Sequence, residues 1–397
     1  MKILQVHNFY KQSGGEDSVV KNEYDLLIKY GHEVIQHTKH NDEIIGWRSK
    51  IDVAFNTHYS KKTYNDFKSV LLNTKPDIVH VHNLFPLFTP SIFDACLECK
   101  TPVVMTIHNF RIFYPNGLFL HNGKLDMRGL KTSAYRCVFD KVYRDSFIQT
   151  AVVAHMIEFH KRKNTWNKNT TTLIALSELS RQILIEGGIW DEKLVIKPNF
   201  CEDRYDISEV KNELLSKKYI VFVGRISEEK GIIQLIEHYK YLDIKTPLFI
   251  IGDGPLKDKL LQETKDNTLL HWMGSQSHHE TLNYIRNAQA LIFPSICLEN
   301  FPMTIVESLS LGVPVLASNI GAAKYIIQDT KEGILYDPFN KQEFYDSLQV
   351  ILKPDVNKQM SSNARQRYLL NFTPELNYQT LISIYNDSIT KNTKHQD

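Results

Sequence analysis

The sequence predicts an α/β fold with two doubly wound domains, and three observations point to it. The chain has 397 residues, a length that suits two large domains. Short apolar runs alternate with helical patterns, as parallel strands joined by crossover helices require. That rhythm stops at a Lys-Pro-Asn turn within residues 195–206 and starts again near residue 218. The expected organisation is an N-terminal domain over 1–200, a second domain over 201–375 and a C-terminal helical segment over 376–397.

In the first half, KILQVH is a strand that runs through a Ser-Gly-Gly turn into the helical pattern EDSVVKNEYDLLIKYGHEV. DIVHVH (77–82), PVVMTIH (102–108) and TLIALS (172–177) are further strands, each followed by turn residues or a helical stretch. In the second half, KYIVFVGR (218–225), PLFIIGDG (247–254), ALIFPS (290–295) and PVLAS (314–318) read as strands. GIIQLIEHYK, HETLNYIRNAQ and MTIVESLSLG read as helices between them, and FTPELNYQTLISIYNDSIT as a helix near the end.

Composition narrows the function. A hydrophobic fraction of 42% and a charged fraction of 23% are ordinary for a soluble globular protein. A net charge of +2 argues against nucleic acid as the main partner. The five cysteines are odd in number and sparse, which favours a reducing, cytoplasmic setting over a disulfide framework. Cys96 and Cys99 form a lone C-x-x-C on a helical pattern, read as two helical thiols rather than a metal or redox site. MKILQVHNFY has too short an apolar run for a signal peptide, and no run approaches the ~20 residues of a transmembrane helix. A soluble or peripheral protein is expected.

In doubly wound sheets, ligands sit beyond the carboxyl ends of the strands, so the residues just after each strand carry the search. GRISEEKG follows a strand directly, and Arg225 and Lys230 emerge there across a turn. A planar fork of donors beside a mobile point charge suits a diphosphate, unless Glu228 and Glu229 neutralise the pair as part of a solvated loop. Gly14 and Gly15 open a helix after the first strand, where backbone N–H groups and the helix N-terminus favour an anion. Glu16 and Asp17 are ordinary partners of that helix dipole, or groups that face an acceptor hydroxyl. In LENFPMTIVE, Glu299 and Glu307 bracket an almost wholly apolar run. Pro302 fits the first turn of a helix that should reach about Leu311 and stop at Gly312. Glu299 then lies in the loop and Glu307 inside the helix, placed to hold two parts of one extended ligand, with its anionic middle at the helix start. No further Asp, Glu or His at matching spacing makes this a metal site. His80 and His82 alternate on a strand and are expected to be structural, with His82 nearer the strand end and the acceptor side. HKRK (160–163) is the solvated end of a core-facing helix, or a dock for anionic lipid head groups.

Together these stretches carry a resemblance. ENFPMTIVE resembles the E-x7-E motif of the retaining family-4 (group 1) glycosyltransferases, and GRISEEKG their G-R-x-x-x-x-K-G element. IIGDGPL and GVPVLAS resemble other steps of the same domain. SGGEDSVV, HVHNLFPLFTPSI, TIHNFRIFYPNGLFL and KPNF resemble the N-terminal half of members that build bacterial surface polysaccharides. The likeness spans roughly residues 1–340, with the motifs in order. It implies the GT-B fold, in which two Rossmann-like domains face a central cleft and the last helix commonly returns to the first domain. It implies no obligatory metal or cofactor, which agrees with the lack of any D-x-D in the sequence. Arg225 and Lys230 would bind the donor diphosphate, Glu307 the ribose and Glu299 the donor sugar. Asn300, Phe301, Pro302, Met303 and Thr304 would touch sugar and phosphate, with Gly224 and Gly252 at neighbouring strand ends. Gly14 and Gly15 would close over the diphosphate, and His108 would sit by the reacting centre. Glu16, His82, Asn109 and Arg111 would serve the acceptor. Many members have Gly where this chain has Pro302, which removes one backbone donor.

The implied reaction moves a sugar from a UDP- or GDP-sugar, with retention, to a lipid-linked glycan in capsule, O-antigen (lipopolysaccharide) or exopolysaccharide synthesis. It would run in the cytoplasm or peripherally on the inner membrane. Three alternatives stand beside it. A Rossmann oxidoreductase would need the G-x-G-x-x-G that the first strand lacks. A non-catalytic sugar-nucleotide-binding partner subunit would not need Arg225, Lys230, Glu299 and Glu307 together. A sugar–nucleotide epimerase would use no acceptor.

Overall fold

The computed structural model describes residues 1–11, 14–206, 218–265 and 267–394. Ser13 of the Ser-Gly-Gly turn and the last three residues of the expected terminal segment lie outside them. The chain divides into two units. One comprises 1–121, 126–199 and the residues from Glu375 onward; the other comprises 122–125 and 200–374.

The first unit is built on six parallel strands: β1 (Lys2–Phe9), β2 (Glu33–His40), β3 (Ile78–Asn83), β4 (Val103–Thr106), β5 (Thr172–Ala175) and β6 (Leu194–Ile196). Their order is β2-β1-β3-β4-β5-β6. The register is set by apolar pairs such as Ile3 against both Val34 and Ile78, and Met105 against Leu173. Six of the eight residues of β1 are buried, because helices cover both faces of a parallel sheet. Strand order reverses between β1 and β3, so their carboxyl ends open a crevice.

One expectation is corrected here. The helical pattern expected to reach Val34 ends at Lys29, and Gly31 takes a left-handed φ of +81°. The chain then turns into β2, which the sequence reading merged with the helix. β2 is an edge strand with no buried residue, so its apolar alternation is weak.

The second unit repeats the plan with β7 (Ile220–Val223), β8 (Leu248–Ile251), β9 (Leu270–Gly274), β10 (Leu291–Phe293), β11 (Val315–Ser318) and β12 (Gly333–Tyr336). Its order is β9-β8-β7-β10-β11-β12, the 3-2-1-4-5-6 arrangement of a Rossmann sheet. Tyr219, Phe249, Leu291 and Leu309 belong to the core on one face; Ile220, Ile250, Ile292 and Leu348 belong to the core on the other. The reversal falls between β7 and β10.

The last helix, Pro374–Lys394, packs within the first unit. The Tyr385 hydroxyl is 2.7 Å from His80 Nδ1, Asn377 donates to the Pro198 carbonyl at 2.8 Å, and Tyr378 stacks on Tyr30 at 3.7 Å. All five cysteines are unpaired. Among the described residues, no helix is long and apolar enough to cross a membrane.

Candidate functional site

In the second unit, the loops after β7 and β10 are laced together at the switch point. The Ser295 hydroxyl and the Ile296 N–H both donate to the Glu229 carbonyl at 3.0 Å. Gly231 sits at φ +68°, and a Cβ there would stand 1.9 Å from the Pro294 oxygen, so only glycine allows the approach. This lacing brings Lys230 to Glu299, Nζ to Oε1 at 2.6 Å, with Ser295 Oγ 2.9 Å from the same carboxylate oxygen. Burial works against the Lys230 ammonium, but the Glu299 charge and hydrogen bond outweigh it, and its pKa is raised. Arg225 follows β7 in the same loop, and its carbonyl accepts from the Ser227 N–H at 3.0 Å while its exposed side chain makes no hydrogen bond or ion pair among the described residues.

The helix Met303–Ser310 starts where the sequence placed it, with Pro302 as its N-cap and Gly312 turning out at φ +67°. Glu299 is in the loop and Glu307 one turn inside the helix. No side chain caps the start, so the first N–H groups keep their capacity for an anion. Asn300 is buried, and Phe301 packs edge-on against Phe372 at 5.9 Å. Met303 and Thr304 form the first turn. Glu307 Oε1 lies 2.9 Å from His278 Nε2. The Glu307 hydrogen bond raises the His278 pKa against the pull of burial. His278 is a site residue that sequence reasoning missed; its signal was the His-His-Glu start of a helix directly after a strand.

Gly224 and Gly252 act differently from an anion cradle. Their N–H groups are spent on the carbonyls of Ile251 and Gly274, at 3.0 and 2.8 Å. A Cβ on Gly252 would come within 1.9 Å of the Gly224 oxygen, so the pair lets two strand ends touch.

In the first unit, a buried polar network lies under the ends of β1, β3 and β4. Lys197 and Glu23 are fully buried and paired at 2.6 Å. Glu23 Oε2 also approaches His82 Nε2 at 3.4 Å and His80 Nδ1 at 3.6 Å. His82 Nδ1 is 3.0 Å from His108 Nε2. Burial pushes the His108 pKa down to about 3, helped by the charges of His7 and Lys197, so its imidazole is neutral at physiological pH. His80 is structural, bound to Tyr385 and to the Thr106 hydroxyl at 2.8 Å. Glu23, His80 and His82 would offer three ligand atoms to a cation, but the Lys197 ammonium already neutralises Glu23.

Glu16, Asn109 and Arg111 come together. Asn109 donates to Glu16 at 3.5 Å, and Arg111 donates to the Tyr10 hydroxyl at 3.1 Å while stacking 4.7 Å above Phe85. Burial raises the Glu16 pKa to about 7. His82, His108, Asn109 and Arg111 share one pocket with Phe85 and Met156. Gly14 is the N-cap of the helix Gly15–Lys29, and its N–H is taken by Asp17 at 3.0 Å. Asp17 in turn holds His7 Nε2 at 2.7 Å. Glu23, Lys197, His7 and Tyr10 were not singled out from sequence. Polar residues within or just after apolar helix and strand patterns were their only trace.

Residues 203–367 match the family described as Glycosyl transferases group 1. The chain is 26% identical over 340 residues to the 2-deoxystreptamine N-acetyl-D-glucosaminyltransferase of Niallia circulans, covering 80% of this chain and 79% of that one. It is 26% identical over 197 residues to the N-acetylgalactosamine-N,N'-diacetylbacillosaminyl-diphospho-undecaprenol 4-alpha-N-acetylgalactosaminyltransferase of Campylobacter jejuni, covering 46% and 53%. Its fold matches Anabaena Alr3699/HepE, a structure in complex with UDP, with a TM-score of 0.66 over 98% of this chain and all of that one, at 16% identity. Strand order, motif order and these likenesses agree: residues 203–367 are a group 1 glycosyltransferase domain, and the chain has the GT-B fold.

Proposed function

We propose that this glycosyltransferase takes a sugar from a nucleotide-sugar donor and adds it, with retention and without a metal or other cofactor, to a lipid-linked glycan of a surface polysaccharide. The observation that carries the donor reading is the switch-point cluster of the second unit. There the loops after β7 and β10, laced together, carry the Lys230–Glu299 pair, the Arg225 side chain and an uncapped helix start. Arg225 and Lys230 hold the diphosphate, Glu299 the sugar hydroxyls and Glu307 the ribose. The UDP bound by the Anabaena structure supports uridine as the base, and the diphospho-undecaprenol named for the Campylobacter relative supports a lipid-linked acceptor. The same reading sets the work in the cytoplasm, at the membrane surface.

In the reaction, the bond between the anomeric carbon and the phosphate oxygen breaks, leaving an oxocarbenium-like sugar. Arg225, Lys230 and the first N–H groups at Met303 offset the charge that develops on the diphosphate. The acceptor hydroxyl attacks from the face the diphosphate leaves, and its proton passes to the departing phosphate oxygen. The neutral His108 donates or accepts a hydrogen bond without adding charge.

A thermal-shift panel of UDP, GDP, CMP and NAD against wild type and the Arg225→Ala, Lys230→Ala double variant tests the donor reading. A ligand at 100 times its dissociation constant stabilises by about 2.7 kcal/mol. UDP or GDP is expected to shift the wild type and not the variant. A response to NAD alone would return the chain to the oxidoreductase alternative.

A further inference from the structure

The helix Gly46–Asn56 has no buried residue along its length. Yet Trp47, Ile51 and Phe55 recur every four residues, 67%, 46% and 76% exposed, and Ile45 just ahead of them is 79% exposed. That spacing places the three on one helix face, the face a soluble fold ordinarily buries. The helix Phe147–Lys163 touches this one and extends the surface. Its Ile148 is 72% exposed, and Phe139, 6.0 Å from the Phe147 ring, is 82% exposed. The His58 ring meets His155 at 5.0 Å, and His155 Nδ1 lies 2.9 Å from the Tyr135 hydroxyl, which links the two segments. An exposed apolar helix face of this kind marks an interaction site.

Charge selects the partner. Residues 46–56 and 131–148 together carry six basic and three acidic side chains, an excess of three positive charges, where the whole chain has a net charge of +2. Arg48, Lys50, Arg136, Lys141 and Arg144 are all exposed, as are Asp52, Asp140 and Asp145, and the Arg48 guanidinium lies 5.4 Å from the Trp47 ring. Aromatic and aliphatic residues that enter an acyl boundary, rimmed by bases that meet head groups, are the composition of an interfacial helix. A second copy is a poor occupant, because a twofold contact would set the same basic rim against itself. The HKRK segment is not this surface. His160 is buried and donates to the His58 carbonyl at 2.6 Å, Lys161 donates to the Gly129 carbonyl at 2.8 Å, and Lys163 lies over Tyr59 and Phe159.

We propose that the Trp47–Ile51–Phe55 face, with Phe139 and Ile148, docks the first unit on an anionic lipid bilayer. This deepens the lipid-linked acceptor reading and rests on it for its purpose, but it is measured independently of catalysis. The test is flotation of the full chain with phosphatidylcholine vesicles and with vesicles containing about a third phosphatidylglycerol, at low and high salt. Wild type is expected to float with the anionic vesicles and to be released by salt. The triple variant Trp47→Ser, Ile51→Ser, Phe55→Ser is expected to lose about tenfold or more of its partitioning while keeping its nucleotide thermal shift. Lys161→Ala with Lys163→Ala is expected to float like wild type. If wild type ignores anionic vesicles, or if the triple variant floats unchanged, the proposal falls. It also falls if the triple substitution only turns a dimer into a monomer. If no nucleotide shifts the wild type but the triple variant still loses flotation, the docking surface stands and the transferase reading fails alone.

Discussion

Replacing Lys230 by Met keeps the length of the side chain and removes its charge. Lys230 is 26% exposed and Glu299 15% exposed, so the pair is partly shielded from water. Its loss strands the Glu299 carboxylate, at a cost of about 1–2 kcal/mol, between the values for exposed and buried pairs. The ligand-bound state loses more. A hydrogen bond between an ammonium and a phosphate oxygen contributes about 1.5–3 kcal/mol, and its loss weakens UDP binding by roughly 10- to 150-fold. At a UDP concentration 100 times the wild-type dissociation constant, a 100-fold loss reduces the stabilisation from about 2.7 to about 0.4 kcal/mol. For a unit of this size, that converts a shift in Tm of roughly 5–11 °C into one of about 1–2 °C. The assay is differential scanning fluorimetry with and without UDP. Glu299→Gln serves as the counter-variant: it keeps the ammonium, so it should retain the UDP shift and lose only the extra stabilisation that a UDP-sugar gives over UDP. A Lys230→Met protein that keeps the full UDP shift would refute the diphosphate role.

Two further outcomes follow from the same geometry. Lys197→Met should cost about 3–5 kcal/mol in urea unfolding, because it leaves Glu23 charged and fully buried. Adding Glu23→Gln should recover much of that loss, and a single variant as stable as wild type would show that the two do not form an ion pair. His278 should titrate above its ordinary value, because Glu307 bonds the charged form. Its contribution to stability is then fully present below about pH 6.5 and is lost as pH rises through the raised folded value. Histidine resonances followed by NMR should show that value fall in Glu307→Gln; no change there would mean that the 2.9 Å contact does not persist in solution.

The local sequence determined most of the second unit. Four of its strands are short apolar runs bounded by Gly or Pro, and Pro302 with Gly312 bounded a helix that runs from Met303 to Ser310. Arg225, Lys230, Glu299 and Glu307 could be named because they follow strands or open a helix, and strand ends are where such sheets bind ligands. Which of these side chains pair is a tertiary matter. Lys230 is 69 residues from Glu299, and they meet only because Gly231 lets one loop press against Pro294. His278 stayed hidden for the same reason, since it reaches Glu307 from a different crossover.

In the first unit the balance shifts toward tertiary structure. β2 is an edge strand whose half-exposed residues leave too faint an alternation to separate it from the preceding helix. Glu23 and Lys197, which are 174 residues apart, were not singled out from the sequence, yet the fold removes both from water and sets them against His80, His82 and the last helix. The helix Gly46–Asn56 poses the opposite case: its Trp47, Ile51 and Phe55 share one apolar face, and among the described residues none covers it. Sequence periodicity records which side chains avoid water; which neighbour removes them from it is decided by contacts between residues far apart in the chain.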